Sequence, residues 1–183
     1  FDDLTDDIYD YCEILEIGVD TLIHESGPSQ IEINLNHGDP LQLADQAFMF
    51  KRAVRQVALK HGIHATFMSK PYQGHPGSSM HIHQNIISKK TNKNLFSDEN
   101  GNNTEDFFHF IGGLQTYLPD AMLFFAPYVN SYRRFVIDAS APINTHWGFE
   151  NRTVAFRIPT SKGESRRIEN RIPGADTNPY LAI

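Results

Sequence analysis

Scarcity is informative in this chain of 183 residues. A single cysteine, Cys12, excludes an internal disulfide and suits a reducing compartment. There is no basic excess: 16 Lys and Arg against 22 Asp and Glu leave a net charge of −6, the reverse of a nucleic-acid binder's footprint. No apolar run approaches the ~18 residues that a membrane span needs, and no signal-peptide pattern opens the chain. Neither a Walker-type Gly-x-x-x-x-Gly-Lys-Ser/Thr nor a kinase Gly-rich loop occurs. What is present is ordinary for a globular domain, 40% hydrophobic and 21% charged residues, which argues against disorder. We therefore expect an acidic cytoplasmic domain with neither nucleic acid nor membrane as a partner. The 9 histidines point towards metal or phosphate chemistry.

Periodicity predicts a helix over Leu4–Ile17, with Ile8, Tyr11, Cys12 and Leu15 on one stripe and Gly18 as its stop. A longer helix is expected from Leu43 to His61, closed by Gly62, with Phe50, Ala53, Val54, Val57 and Ala58 inward and Lys51, Arg52 and Lys60 in water. A third, Phe107–Phe125, is expected to break at Gly112-Gly113 and Pro119. Alternation predicts strands at Ile31–Leu35, Thr66–Met68, Met80–His83, Val154–Ile158 and Arg167–Arg171, and residues 87–104 read as a hairpin or loop. With no repeat and no linker, one α+β domain is the economical architecture. The chain begins at Phe1 and closes on Asn178-Pro179-Tyr180-Leu181-Ala182-Ile183, an N-cap and a first helical turn, so an excerpt of a longer protein is expected.

Polar residues share faces on these strands. Glu25 and Glu32 flank a Gly-Pro turn beside His24, and His81 and His83 are one pleat apart. Arg152 and Arg157 bracket one strand, while Arg167, Glu169 and Arg171 project together from another. Singly, each reads as a solvated strand face or a surface ion-pair ladder worth a few tenths of a kcal/mol. Together they suit one task. Carboxylates with imidazole form a hard ligand set for Mg²⁺ or Mn²⁺. Five arginines (Arg134, Arg152, Arg157, Arg167 and Arg171) suit phosphate and carboxylate groups bidentately. Phosphoryl transfer from ATP needs positioning and charge neutralisation rather than a protein nucleophile.

In this order the motifs resemble the glutamine synthetases. The residues that carry the likeness are His24-Glu25-Ser26-Gly27-Pro28-Ser29-Gln30-Ile31-Glu32, Lys70-Pro71 followed by Gly77-Ser78-Ser79-Met80-His81-Ile82-His83, and Asn130-Ser131-Tyr132-Arg133-Arg134. Then follow Asn151-Arg152-Thr153 with Arg157-Ile158-Pro159, Arg166-Arg167-Ile168-Glu169-Asn170-Arg171, and Asn178-Pro179-Tyr180-Leu181-Ala182. The likeness implies that residues 1–183 form part of that family's catalytic domain, a curved antiparallel sheet around the active site with flanking helices. The small N-terminal β-grasp domain and the C-terminal end of the catalytic domain would lie outside the chain.

The implied reaction activates glutamate as γ-glutamyl phosphate and couples it to an amine. ATP would be a substrate, two or more Mg²⁺ or Mn²⁺ would serve each site, and the intact protein would form a homo-oligomer, typically a dodecameric ring. By position, Glu25 and Glu32 would hold one cation, and His81 and Glu169 the other. Arg157 and Arg167 would neutralise the ATP phosphates, with His83 near the nucleotide and Asn85 near adenine. Arg152 would stabilise the transferred phosphoryl group, Arg134 and Arg171 would grip glutamate, and Gly77 would line its site.

Two departures bear on the acceptor. Where glutamine synthetases carry a glutamate for the ammonium pocket this chain has Ser140, with Asp138 nearby, and Pro76 replaces an asparagine that touches glutamate. A pocket for a small cation needs a compensating charge. The loss, and the Gly74–His81 and Trp147–Arg152 segments, suggest the γ-glutamylpolyamine synthetase branch and polyamine catabolism, with putrescine or a related amine as acceptor. Trp147 and Phe149 would line its path by cation–π contact. Glutamine synthesis from ammonium, or an inactive relative, are the alternatives.

Overall fold

The computed structural model describes residues 2–137 and 140–183, and has two packed layers with separate cores. The first core is built from α1 (Asp2–Ile14), β1 (Val19–His24), β2 (Ile31–Leu35) and α2 (Pro40–Lys60). Leu4, Ile8, Cys12, Ile17 and Val57 are its buried centre. The antiparallel β1–β2 hairpin pairs Leu22 with Ile33 and Ile23 with Glu32, so the aliphatic residues of β2 face the helices and Glu32 faces away.

The second core lies between α3 (Glu105–Phe125) and a four-stranded sheet of order β3-β6-β5-β4. Its strands are β3 (Ile82–Gln84), β4 (Trp147–Phe149), β5 (Phe156–Ile158) and β6 (Ile168–Asn170). β3, β6 and β5 pair antiparallel, while β4 runs parallel to β5 at the edge after a tight return through residues 150–155, so the sheet is mixed. Short α4 (Val129–Tyr132) and α5 (Pro179–Ala182) complete the α+β architecture. Lys51 Nζ donating to the Thr177 carbonyl at 2.8 Å, and the Tyr180 hydroxyl donating to Asp45 at 2.5 Å, tie α2 to the C-terminal segment. Lys51 is therefore half-buried, not solvated as its place on the helix suggested, and desolvation pulls its ammonium down to about 8.

Helix ends follow their caps. α2 begins three residues before the expected Leu43, because Asp39 Oδ1 accepts from the amides of Leu41 and Gln42 and Pro40 fills the first helical position. Gly62 ends it with φ 71°, as expected. α1 ends at Ile14, and the left-handed residue that closes it is Glu16, not Gly18: Glu16 takes φ 55°, and the amides of Ile17 and Glu16 return to the carbonyls of Cys12 and Glu13. Buried Ile17 anchors that turn, and its packing outweighs the poor fit of Glu to the left-handed region. At the other end of the chain Asn178 caps α5, as its sequence predicts.

Two further expectations fail. α3 runs unbroken through Gly112-Gly113 and Pro119. A proline inside a helix costs about 3 kcal/mol, but Phe107, Ile111 and Leu118 are all buried on the sheet at about 1.5–3 kcal/mol each. Thr66–Met68 joins no strand pairing among the described residues, so it is no strand. A Cβ at Gly112 would meet nothing within 4 Å. Gly112→Ala is therefore expected to stabilise the fold by about 0.5–1 kcal/mol in urea denaturation, through lower unfolded-state entropy and better helix propensity.

Candidate active site

The sheet's face opposite α3 collects charge. One rung aligns His83 of β3, Glu169 of β6 and Arg157 of β5, all pointing to the same side. Glu169 is 2% exposed and accepts from Arg157 Nη1 at 2.6 Å on one oxygen and from Arg171 Nη1 at 2.5 Å on the other. His81 Nδ1 lies 3.2 Å from Glu169 Oε1. Burial on its own would raise the Glu169 pKa, but the Arg157 hydrogen bond and the charges of His81, Arg171 and His83 outweigh it and hold the carboxyl below its usual value. Arg171 also donates from Nε to the Arg152 carbonyl at 3.2 Å.

The histidines are held neutral. Burial, with the nearby Arg171, pulls the His81 imidazole down to about 3, against the opposing pull of Glu169. His83 is exposed on the sheet face, yet desolvation by its surroundings lowers it too, and its Nδ1 accepts from Arg167 Nε at 3.1 Å. Two neutral imidazoles beside a carboxylate can offer lone pairs as well as hydrogen bonds. With Arg134 and Arg152 included, five guanidinium groups in this region face three carboxylates, Glu150, Glu169 and Asp176. The charge is locally positive in a chain that is negative overall, which favours anionic ligands.

The 69–80 segment borders this face and is pinned from several sides. Gln30 Nε2 reaches from the β1–β2 turn to the Gly77 carbonyl at 2.9 Å and the Ser78 hydroxyl at 3.1 Å. Lys70 and Asn130 exchange a reciprocal pair, each at 2.9 Å. Asp176 accepts from the hydroxyls of Ser69 at 2.6 Å and Ser131 at 2.7 Å. Arg134 donates to Ser79 Oγ at 2.5 Å and to the Ile172 carbonyl. Burial pulls Arg134 down to about 10, against the favourable charge of Asp176.

The expected site residues thus divide. His81, His83, Arg157, Arg167, Glu169 and Arg171 come together. Arg134 is 2% exposed, with both terminal nitrogens donating to protein acceptors, so in this structure it braces the Gly77–Ser79 turn. Arg152 and Asn85 are exposed at the margins. Glu25 and Glu32 lie on the hairpin, joined to the rest through Gln30. Among the described residues no three His, Cys, Asp or Glu side chains converge as a metal group. A hard cation at the His81–Glu169 pair would share carboxylate oxygens that already accept from Arg157 and Arg171, and would complete its shell with other oxygens.

Trp147 and Phe149 do not line this face. Their register partners Phe156 and Ile158 are buried beneath α3, and Trp147 packs edge-on against Phe107 and Phe108, so period-2 alternation puts both on the far side of the sheet. Ser140 is exposed, whereas Asp138 lies outside the described residues.

Gln30, Asn130, Asp176 and Glu150 carried no expected site role, although Gln30 and Asn130 stand within the motifs that bear the resemblance. In the sequence Asp176 reads as a turn former within Gly-Ala-Asp-Thr-Asn-Pro, and nothing local marks the long-range bonds of the other three.

Gly77 has no room for a side chain: a Cβ would stand 2.6 Å from the Ser69 carbonyl oxygen and 2.7 Å from Arg134 Cγ. Gly77→Ala is expected to destabilise the fold by about 1–3 kcal/mol in chemical denaturation by displacing Arg134. An unchanged midpoint would show that the turn adapts freely.

The whole chain, residues 1–183, matches the family described as glutamine synthetase, catalytic domain. A γ-glutamylputrescine synthetase of Escherichia coli (strain K12) is 43% identical over 186 aligned residues, which cover 100% of this chain and 39% of the relative. A glutamate–isopropylamine ligase of a Pseudomonas species is 38% identical, covering 99% of this chain and 40% of that protein. A glutamine synthetase of Thermococcus kodakarensis is 40% identical, covering 94% and 38% respectively. The chain thus spans about two fifths of the length of these relatives. Matched from end to end, it belongs to the glutamine synthetase family, within the reach of that family's catalytic domain.

Proposed function

We propose that the intact protein containing this chain is an ATP-dependent ligase that joins the side-chain carboxyl of glutamate to an alkylamine such as putrescine. The observation that carries this reading is the buried Glu169 carboxylate clasped by Arg157 and Arg171 beside two neutral histidines, an arrangement that supports binding of polyphosphate with a divalent cation. Two of the similar proteins are named for amines other than ammonia, putrescine and isopropylamine, which supports the choice of acceptor.

In this reading a γ-carboxylate oxygen of glutamate attacks the γ-phosphorus of ATP. The phosphorus–oxygen bond to ADP breaks and ADP departs. The amine nitrogen then attacks the acyl carbon, phosphate leaves, and the nitrogen gives up a proton. Arg157 and Arg167 neutralise the ATP phosphates, Arg152 meets the transferred phosphoryl group, and Arg171 and the Gly77 turn position glutamate. His83 and Asn85 border the nucleotide. His81 and Glu169 would hold one Mg²⁺ or Mn²⁺, and Glu25 and Glu32 another; such ions supply charge neutralisation on the phosphates. Arg134 serves by bracing the turn that carries Gly77.

The family relation includes glutamine synthetases, so ammonium is the competing acceptor. No helix among the described residues is long and apolar enough to cross a membrane. We propose a cytoplasmic ring-forming homo-oligomer, on the resemblance of the motifs.

The test is phosphate release from ATP by the intact protein, with glutamate and either putrescine or ammonium at matched concentration. At least about tenfold greater kcat/KM with putrescine is expected. The reverse preference would make the protein a glutamine synthetase, and release with neither amine would remove the ligase reading.

A further inference from the structure

The return from β4 to β5 carries a residue in the left-handed region, which L side chains seldom occupy: Glu150, with φ 49°. Its place is fixed from three sides. Its own amide donates to the Ile158 carbonyl at 3.0 Å, one carboxylate oxygen accepts from the Thr160 amide, and the other accepts from Arg157 Nη2 at 3.0 Å. The backbone requirements of the turn are met by the first two bonds. The third reaches into the charged face.

Arg157 has few other anchors. Nη1 donates to Glu169 at 2.6 Å, Nη2 donates to Glu150, and Nε is buried with no acceptor among the described residues. Glu169 is a shared anchor, because its other oxygen serves Arg171 and lies beside His81. Any cation drawn to Glu169 competes with the Arg157 bond there. Glu150 is outside that competition, so its hold on Nη2 persists when the Glu169 bond slackens.

We propose that Glu150 is a positioning residue that keeps the Arg157 guanidinium aimed at the ATP phosphates. The proposal rests on the functional reading above, in which Arg157 meets those phosphates, and extends it to a residue outside the expected set. Glu150 touches no substrate; it acts through Arg157.

Steady-state kinetics of the intact protein test this. Glu150→Gln retains an oxygen for the Thr160 amide and turns an uncharged NH₂ donor, in place of a carboxylate oxygen, towards the Arg157 guanidinium. It is expected to raise the KM for ATP about tenfold, with kcat within about twofold and the KM for glutamate unchanged. Arg157→Ala is expected to raise the ATP KM at least as much. Adding Glu150→Gln to Arg157→Ala should then change nothing more, since the tether has lost what it holds. Glu150→Asp, which keeps the charge, is expected to recover most of the ATP affinity that Glu150→Ala loses. A normal ATP KM in Glu150→Gln alongside a raised one in Arg157→Ala would overturn the positioning role and spare the ATP reading. An unchanged ATP KM in Arg157→Ala would overturn the reading itself. Full additivity in the double variant would mean that Glu150 acts independently of Arg157, and would also overturn the proposal.

Discussion

The bond between the Glu169 carboxylate and its two guanidinium partners is the constraint on which the rest of the site depends. A carboxylate only 2% exposed would take up a proton rather than stay charged without compensation. Arg157 and Arg171 supply that compensation from two different stretches of chain, and His81 stands alongside without a competing charge. Removing one member of such a group leaves the others buried and unpaired, a loss of about 3–5 kcal/mol. The same bonds therefore hold the β5–β6 pair together and set out the positive face.

Around that centre the protein spends polar groups on the 69–80 segment rather than on a long strand. Gln30, Asn130, Asp176 and Arg134 approach it from three stretches of chain, and Gly77 lies so close to Arg134 that glycine alone fits. The hairpin bearing Glu25 and Glu32 is joined through Gln30 to the Gly77–Ser78 turn of that segment. A loop held this way is preorganised at little cost when a ligand arrives.

The arginine–glutamate alternation at residues 167–171 was legible because opposite charges at period 2 must share a face. The strand pairing was not. Strands β3 to β6 are three residues each, too short to encode register, so neither the parallel edge nor the burial side of Trp147 and Phe149 could be read from them. Tertiary packing decided the other departures: the apolar face of α3 overrides Pro119, and buried Ile17 puts Glu16 where a glycine was expected. Asp39-Pro40 was a readable start to α2 that hydrophobic spacing alone passes over. Glu150 left no signal, because its importance lies in a backbone angle and in a partner across the sheet.

The central claim is that Glu169 organises a cation-dependent nucleotide site. Calorimetric titration of ATP into the intact protein and into its Glu169→Gln variant, each with and without Mg²⁺, tests it most directly. The amide keeps the shape and loses the charge, so the account predicts that Mg²⁺-dependent ATP affinity falls by more than about tenfold while the variant stays folded by circular dichroism. An unchanged Mg²⁺-dependent affinity in the folded variant would contradict it and take Glu169 out of the nucleotide site.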